Sequence, residues 1–320
     1  MGEFAQQLNR IATFAERFME NVGKVIVGRK DAIELILVAL LCEGHVLIED
    51  VPGTGKTMLA KTTARSINCN FQRIQCTPDL LPSDITGIHY FSQKTSEFEF
   101  RPGPIMANIV LADEINRATP RTQSSLLECM QEQQVTVDLE TIPLPRPFLL
   151  IATQNPVELE GTFPLPEAQL DRFLMKITMG YPGEDEEDTI LKRFHQENPL
   201  ASLSSVIEAE ELLVLQKLSR QAYVEESVRR YLLAIIRATR EHKSIELGAS
   251  PRASLSLDLA SRVLATVRGR SYVIPDDVKY LAPPILGHRL IEKPEAKLRK
   301  HSTEAVLEEI LAQIPVPVEQ

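Results

Sequence analysis

The sequence predicts an α/β protein: a parallel sheet covered on both faces by helices, followed by a second domain made of helices. Three observations carry this reading. Short apolar runs alternate with helix-compatible stretches through the first half, as strands buried on both faces do. One such run, VLIEDVPGTGKT from Val46 to Thr57, passes through a glycine loop directly into the helix-compatible MLAKTTARSI. From Glu184 onward the strand-like runs give way to helical periodicity.

A chain of 320 residues can bury a large core and divide into two domains. Its 43% hydrophobic and 25% charged residues fit a soluble globular protein. The formal charge of −9 offers no general attraction to nucleic acid. Cys42, Cys69, Cys76 and Cys129 are scattered in or beside core elements, so they read as reduced packing residues, not a disulfide frame or a zinc site. The opening MGEFAQQLNRIATFAERF carries acids and no long apolar core, and no stretch approaches the roughly 20 apolar residues of a membrane span. A cytoplasmic protein without a membrane span is expected.

Phe4, Leu8, Ile11, Phe14 and Phe18 recur at helical spacing, predicting an amphipathic helix over 4–22. Val25 to Gly28 interrupt it before a second helix from about Arg29 to Cys42. Val27 and Gly28 are positioned to line a purine pocket, although a plain turn between helices accounts for them locally almost as well. In the glycine loop, Pro52, Gly53, Thr54 and Gly55 precede Lys56, Thr57 and Met58. A triphosphate needs converging backbone N–H groups, no obstructing Cβ atoms and the positive end of a helix. Lys56 would reach the β- and γ-phosphates and the Thr57 hydroxyl would hold Mg²⁺, with Met58 also among the nucleotide-binding residues. Asp50 stands where the consensus begins with glycine; altered local rigidity is expected there, not loss of binding.

Phe71 to Gln75 can form a second strand. Residues 77–105 are punctuated by proline and glycine and hold two small strand-like runs, Ile88 to Phe91 and Glu97 to Phe100, which favours a functional insertion over a passive loop. The buried run Ile109 to Ala112 ends in Asp113 and Glu114. Thr119 to Gln131 reads as a helix, Gln134 to Leu144 as a hairpin, and Phe148 to Thr153 and Phe173 to Ile177 as further strands. Helical segments follow near 184–197, 208–221, 225–240, 252–268, 275–282 and 303–313.

A strand end beside the phosphate loop suits Asp113 to orient a water of Mg²⁺ and Glu114 to activate the attacking water. Adjacent acids alone usually mark a solvated turn; with Lys56 and Thr57 they point to nucleotide hydrolysis. Asn155 follows the strand FLLIAT and could hold that water or sense the γ-phosphate, although an Asn before Pro156 is otherwise a turn residue. Arginines are also needed where phosphoryl charge develops. Arg172 in QLDRF and Arg252 in ASPRA are the candidates for a finger and a lid sensor, against the default of surface arginines.

EDVPGTGKTMLAK, LADEINRATPRTQSSLLECMQEQQVTV, IATQNPVELEGTFPLPEAQLDRFLMKI and SPRASLSL closely resemble the MoxR family of AAA+ ATPases. The resemblance covers nearly the whole chain. It implies an α/β P-loop NTPase fold with a five-stranded parallel sheet of order 5-1-4-3-2 and a small all-helical lid. ATP/ADP and Mg²⁺ are the implied cofactors, with nucleotide at the cleft between a core of residues 1–184 and a lid of 185–320. By that likeness Lys56 and Thr57 match the phosphate loop, Asp113 and Glu114 the acidic motif and Asn155 the first sensor. Arg172 matches a finger supplied to a neighbour, and Arg252 the second sensor. Segment 77–105 resembles the family's insertion and 134–145 its hairpin; both would face a pore or partner, and Arg117 and Arg121 would contribute to the subunit interface.

A homo-oligomer, as a hexameric ring, is implied, as is a possible von Willebrand factor A domain partner, absent from this chain. The leading function is ATP-driven remodelling, maturation or activation of a client protein or metalloprotein complex. A DNA-dependent motor is the weaker alternative, because Asp84, Glu97 and Glu99 dilute Lys94 and Arg101 in the insertion and the hairpin carries Asp138 and Glu140. A metal-chelatase motor shares the same hydrolytic chemistry and would need dedicated partner subunits.

Overall fold

The computed structural model describes residues 2–138, 140–157, 161–196, 199–298 and 302–317. Two helices open the chain, α1 (Gly2–Gly23) and α2 (Lys30–Leu41). Ile11, Phe14, Phe18 and Val22 lie on one side of α1 at helical spacing and are buried, while α2 is apolar nearly all round and is enclosed accordingly. The chain continues through β1 (Val46–Glu49), α3 (Lys56–Ser66), β2 (Phe71–Gln75) and the short α4 (Pro82–Thr86). The insertion forms a hairpin of β3 (Gly87–Ser92) and β4 (Glu97–Pro102), and β5 (Ile109–Asp113) returns to the sheet.

Next come α5 (Pro120–Glu132), the hairpin β6 (Gln134–Val137) and β7 (Glu140–Pro143), and β8 (Leu149–Gln154). Thr119 caps α5 through its hydroxyl and Pro120 occupies the first turn, where its missing N–H costs nothing. Leu139, at the tip of the second hairpin, lies outside the described residues. After α6 (Glu167–Leu170), β9 (Met175–Ile177) completes the sheet.

The five-stranded sheet runs β2-β5-β8-β1-β9 and its neighbours pair in parallel. With its five strands numbered in chain order this is the expected 5-1-4-3-2. Alternation along the strands divides the core in two. Val46, Ile48, Ile109, Leu111, Leu149 and Ile151 face one cluster, shared with α1, α2 and later helices; Leu47, Val110, Ala112, Leu150 and Ala152 face another, shared with α5 and the hairpins.

The remaining chain is α7 (Glu184–Gln196), α8 (Ala209–Ser219), α9 (Glu226–Glu241), β10 (Ile245–Leu247), α10 (Pro251–Val267), α11 (Pro275–Leu286), β11 (Ile291–Glu292), α12 (Pro294–Leu298) and α13 (Thr303–Gln313). A separate, mainly helical lid lies within this region. Two details correct the expectation. The lid is not all-helical, because β10 and β11 pair as an antiparallel ribbon anchored by buried Ile245. Helix α11 also runs past residue 282 through Pro283 and Pro284, since Ile285 and Leu286 are fully buried and their apolar burial offsets the amide bonds that the prolines cannot make.

Candidate active site

Parallel register assembles the site. Gln75 lies opposite Asp113, Ala112 opposite Ala152, and Glu49 opposite Gln154, so the carboxyl ends of β2, β5, β8 and β1 are level. A cavity of about 380 Å³ opens there. Pro52, Gly53, Gly55, Lys56, Thr57 and Met58 form one side, and Asp113, Glu114 and Asn155 also line it. Gly53 and Gly55 have φ of +85° and +89°, and a Cβ built on either meets nothing within 4 Å. Glycine is thus required by backbone conformation, not by space, and left-handed loops of this kind make amide nests that take anions.

Lys56 begins α3, and its ammonium donates to the Asp50 and Val51 carbonyls at 2.9 and 2.8 Å. Burial lowers its pKa from the ordinary lysine value, opposed by the charges of Asp50, Asp113 and Glu114. Asp113 accepts the Thr153 hydroxyl on Oδ1 at 2.6 Å and the Arg73 guanidinium on Oδ2 at 2.6 Å. Glu114 has φ of 56°, a left-handed conformation uncommon outside glycine, and its N–H donates to Thr153 Oγ1 at 2.9 Å. Its Oε2 accepts from Gln75 Nε2 at 2.9 Å and Arg117 Nη1 at 3.3 Å. Asn155 Oδ1 accepts the Val157 N–H at 3.1 Å, so its amide both borders the cavity and closes a local turn.

A second, more apolar cavity of about 210 Å³ adjoins the glycine loop. Val27 lines it with Ile26, Thr54, Met58, Pro182 and Phe194, a surface suited to a purine. Gly28 acts differently: its φ of +73° favours glycine, and a Cβ there would sit 1.8 Å from the Glu186 carboxylate and displace it. Arg29 then ties Glu186 and the Gly180 carbonyl, each at 3.2 Å. Asp50 also has a defined task, accepting the N–H groups of Val51, Met179 and Gly180 at 2.8, 3.0 and 2.7 Å.

Arg172 and Arg252 are not brought to this cavity. Both line a separate depression with Glu43, Gly44 and His45, at the amino-terminal end of β1 and β9 and hence the opposite end of the sheet. Arg252 Nη1 lies 3.7 Å from Asp171 Oδ2. Arg252 opens α10, which packs against α8, α9 and α11 and leaves its amino terminus beside Asp171. The nearly buried Arg289 holds the same loop, bonding Asp171 Oδ1 at 2.9 Å and the Phe173 carbonyl at 2.6 Å. The sequence reading missed Arg73, Gln75, Thr153 and Arg289. Thr153 was within reach, since it closes the apolar run Phe148 to Thr153 beside the acids, whereas Gln75 ends a largely polar strand that carries no such signal.

The residues present fit a magnesium nucleotide. Thr57 and Asp113 offer hard oxygen, the donors magnesium takes alongside phosphate and water, and the glycine loop leaves room for phosphate. Among the described residues, no cluster of histidine, cysteine, aspartate and glutamate could hold another metal ion. Burial raises the Cys42, Cys76 and Cys129 thiols to about 12 and Cys69 to about 11, which leaves them as protonated packing groups.

A glycine loop opening a helix, an acidic strand end and a helical lid on this sheet order define a P-loop ATPase of the AAA+ class. The model of the ATPase family associated with various cellular activities matches residues 45–175, and that of the AAA lid domain matches 237–310. The chain is 51% identical over 302 residues to the uncharacterised YeaC protein of Bacillus subtilis, covering 94% of each. It is 44% identical over 311 residues to chaperone MoxR1 of Mycobacterium tuberculosis, covering 94% of this chain and 82% of that one. A crystal structure of a candidate ATPase from Cytophaga hutchinsonii superposes with a TM-score of 0.92 at 38% identity over 98% of each chain. The chain belongs to the MoxR family of AAA+ ATPases. Membership makes it an ATPase.

Proposed function

We propose that this chain is a Mg²⁺-dependent ATPase that couples hydrolysis to chaperone-like maturation or activation of a client protein or complex. The observation that carries the reading is the convergence of Lys56, Thr57, Asp113, Glu114 and Asn155 on one cavity. Lys56 would leave the loop carbonyls to neutralise the β- and γ-phosphates, while the Thr57 hydroxyl and Asp113 would hold the cation, which would supply further charge neutralisation. Glu114 would turn from Gln75 toward a water oriented by Asn155 and accept its proton as the water oxygen bonds to the γ-phosphorus and the bond to the β,γ-bridging oxygen breaks, leaving ADP and phosphate. Val27 and Met58 would carry the purine.

The reading extends to a homo-oligomeric ring, hexameric by family resemblance. Arg172 stands at the end of the sheet away from its own phosphate loop, which suits a finger offered to a neighbour's γ-phosphate. Arg252 borders the same depression and is assigned to that presenting face. The working division is a core of 1–184 and a lid of 185–320, whose relative angle would follow nucleotide state. A von Willebrand factor A domain partner and a cytoplasmic location complete the proposal. Nucleic acid remains the weaker target, since His89 of the insertion faces Asp138 and Glu140 of the second hairpin at 3.0 and 3.6 Å, in an acid-rich setting.

Affinity capture from cells with Glu114→Gln and ATP tests the coupling. The substitution preserves nucleotide and slows turnover, so a specific protein client should accumulate relative to Lys56→Ala. Salt-sensitive retention on nucleic acid without a protein client would overturn the remodelling assignment.

A further inference from the structure

Asp113 has two oxygens with different neighbours. Oδ1 is taken by the Thr153 hydroxyl at 2.6 Å, within the sheet. Oδ2 is gripped by Arg73, whose Nε and Nη2 lie at 3.1 and 2.6 Å. Both side chains line the nucleotide cavity. Their freedom differs: the Arg73 side chain is 46% exposed and that of Asp113 only 12%. Arg73 also stands on β2, the edge strand, where nothing pairs beyond it in the sheet. It can therefore swing further into water, giving up only its contacts to Asp113 and Gln75, whereas Asp113 is largely enclosed and held by Thr153.

We propose that Arg73 is a built-in counter-ion for Asp113 that competes with the magnesium of the bound nucleotide and so sets the Mg²⁺ concentration at which the cavity loads. The inference rests on the assignment of Thr57 and Asp113 to the cation. A guanidinium and a divalent cation both draw on the charge of Oδ2, and each disfavours the other by repulsion. The competition reaches further than the metal. Arg73 Nη2 donates to Gln75 Oε1 at 2.5 Å, and Gln75 Nε2 donates to Glu114 Oε2 at 2.9 Å. One chain of hydrogen bonds thus joins the cation's carboxylate to the proposed base. When Arg73 departs, Gln75 loses its anchor and its hold on Glu114 loosens, so cation loading and release of the base are linked. Arg73 is a positioning residue in this scheme.

The test is equilibrium binding of a fluorescent ADP analogue, titrated with Mg²⁺, for the parent, Arg73→Gln, Arg73→Lys and Asp113→Ala. Arg73→Gln should lower the half-saturating Mg²⁺ by about three- to tenfold at low ionic strength, with the gap shrinking as salt is added. Arg73→Lys keeps the charge but loses the two-pronged grip, so it should fall between. An unchanged or higher half-saturation in Arg73→Gln, with the Mg²⁺ dependence lost in Asp113→Ala, overturns the competition and leaves the cation assignment standing. Retention of the parent's Mg²⁺ dependence in Asp113→Ala removes the cation assignment and the inference together.

Discussion

Single side chains do most of the positioning around the cavity. Asp50 replaces the glycine of the loop consensus, and its carboxylate draws together the loop entrance and the chain leaving β9. Asp50→Ala strands the Met179 and Gly180 N–H groups, so thermal or denaturant unfolding should show a loss of about 1–3 kcal/mol. His45 is as constrained. Its Nδ1 accepts the Leu150 N–H at 3.0 Å, which leaves Nε2 to donate to the Met130 carbonyl at 2.9 Å. Burial pulls its pKa from 6.5 to about 4. The unfolded chain therefore takes up the proton first as pH falls. The stability held by neutral His45 is complete above about pH 6.5 and is lost toward pH 4, by about 3 kcal/mol at most. Denaturant midpoints across that window should fall more steeply in the parent than in His45→Gln; equal slopes would count against this account. Lys56, Thr57, Asp113 and Glu114 were legible because each terminates a local pattern. Arg73 was not, since its partner lies forty residues away and only the β2–β5 register brings them together.

At the scale of elements, apolar runs and their bounding residues revealed the strands and most of the helices. Phe71 to Gln75 forms the predicted strand without adjustment, and Thr119 with Pro120 marks the start of α5. The lid ribbon escaped notice because three residues on one side and two on the other carry too little periodicity to read. Helix α11 is predicted to end near residue 282, just before Pro283 and Pro284, whereas the burial of Ile285 and Leu286 that carries it further is a tertiary fact. The insertion was legible as two strands, but its seat was not. A Cβ on Gly103 would lie 2.1 Å from the Ile85 carbonyl oxygen, so α4 and the root of the β3–β4 hairpin are in backbone contact. Gly103→Ala should cost about 1–3 kcal/mol and expose residues 87–102 to limited proteolysis ahead of the rest of the chain. Unchanged cleavage and melting would show that the root yields more easily than the packing implies.

The whole molecule separates two sets of charged groups to opposite ends of one sheet: the phosphate loop and acids at one, Arg172 and Arg252 at the other. Asp171 gathers Arg289, Ser250 and Arg252 around the second set, which ties the lid to the loop carrying Arg172. Such an arrangement uses both ends only if a neighbouring copy supplies the missing partner. Mixing Arg172→Ala with Lys56→Ala subunits should then restore part of the turnover that each lacks alone; no recovery despite subunit exchange would contradict a trans site. The trans finger should be worth roughly 10³-fold or more in turnover. Beneath this stands the claim that the cavity at the β1 and β5 ends hydrolyses ATP. Parallel measurement of bound nucleotide and steady-state turnover in the parent, Lys56→Ala and Glu114→Gln tests it most directly. The account predicts that Lys56→Ala loses nucleotide, while Glu114→Gln retains ATP and loses turnover by about 10²-fold or more. Parental turnover in Glu114→Gln, under the same assembly conditions, would contradict it.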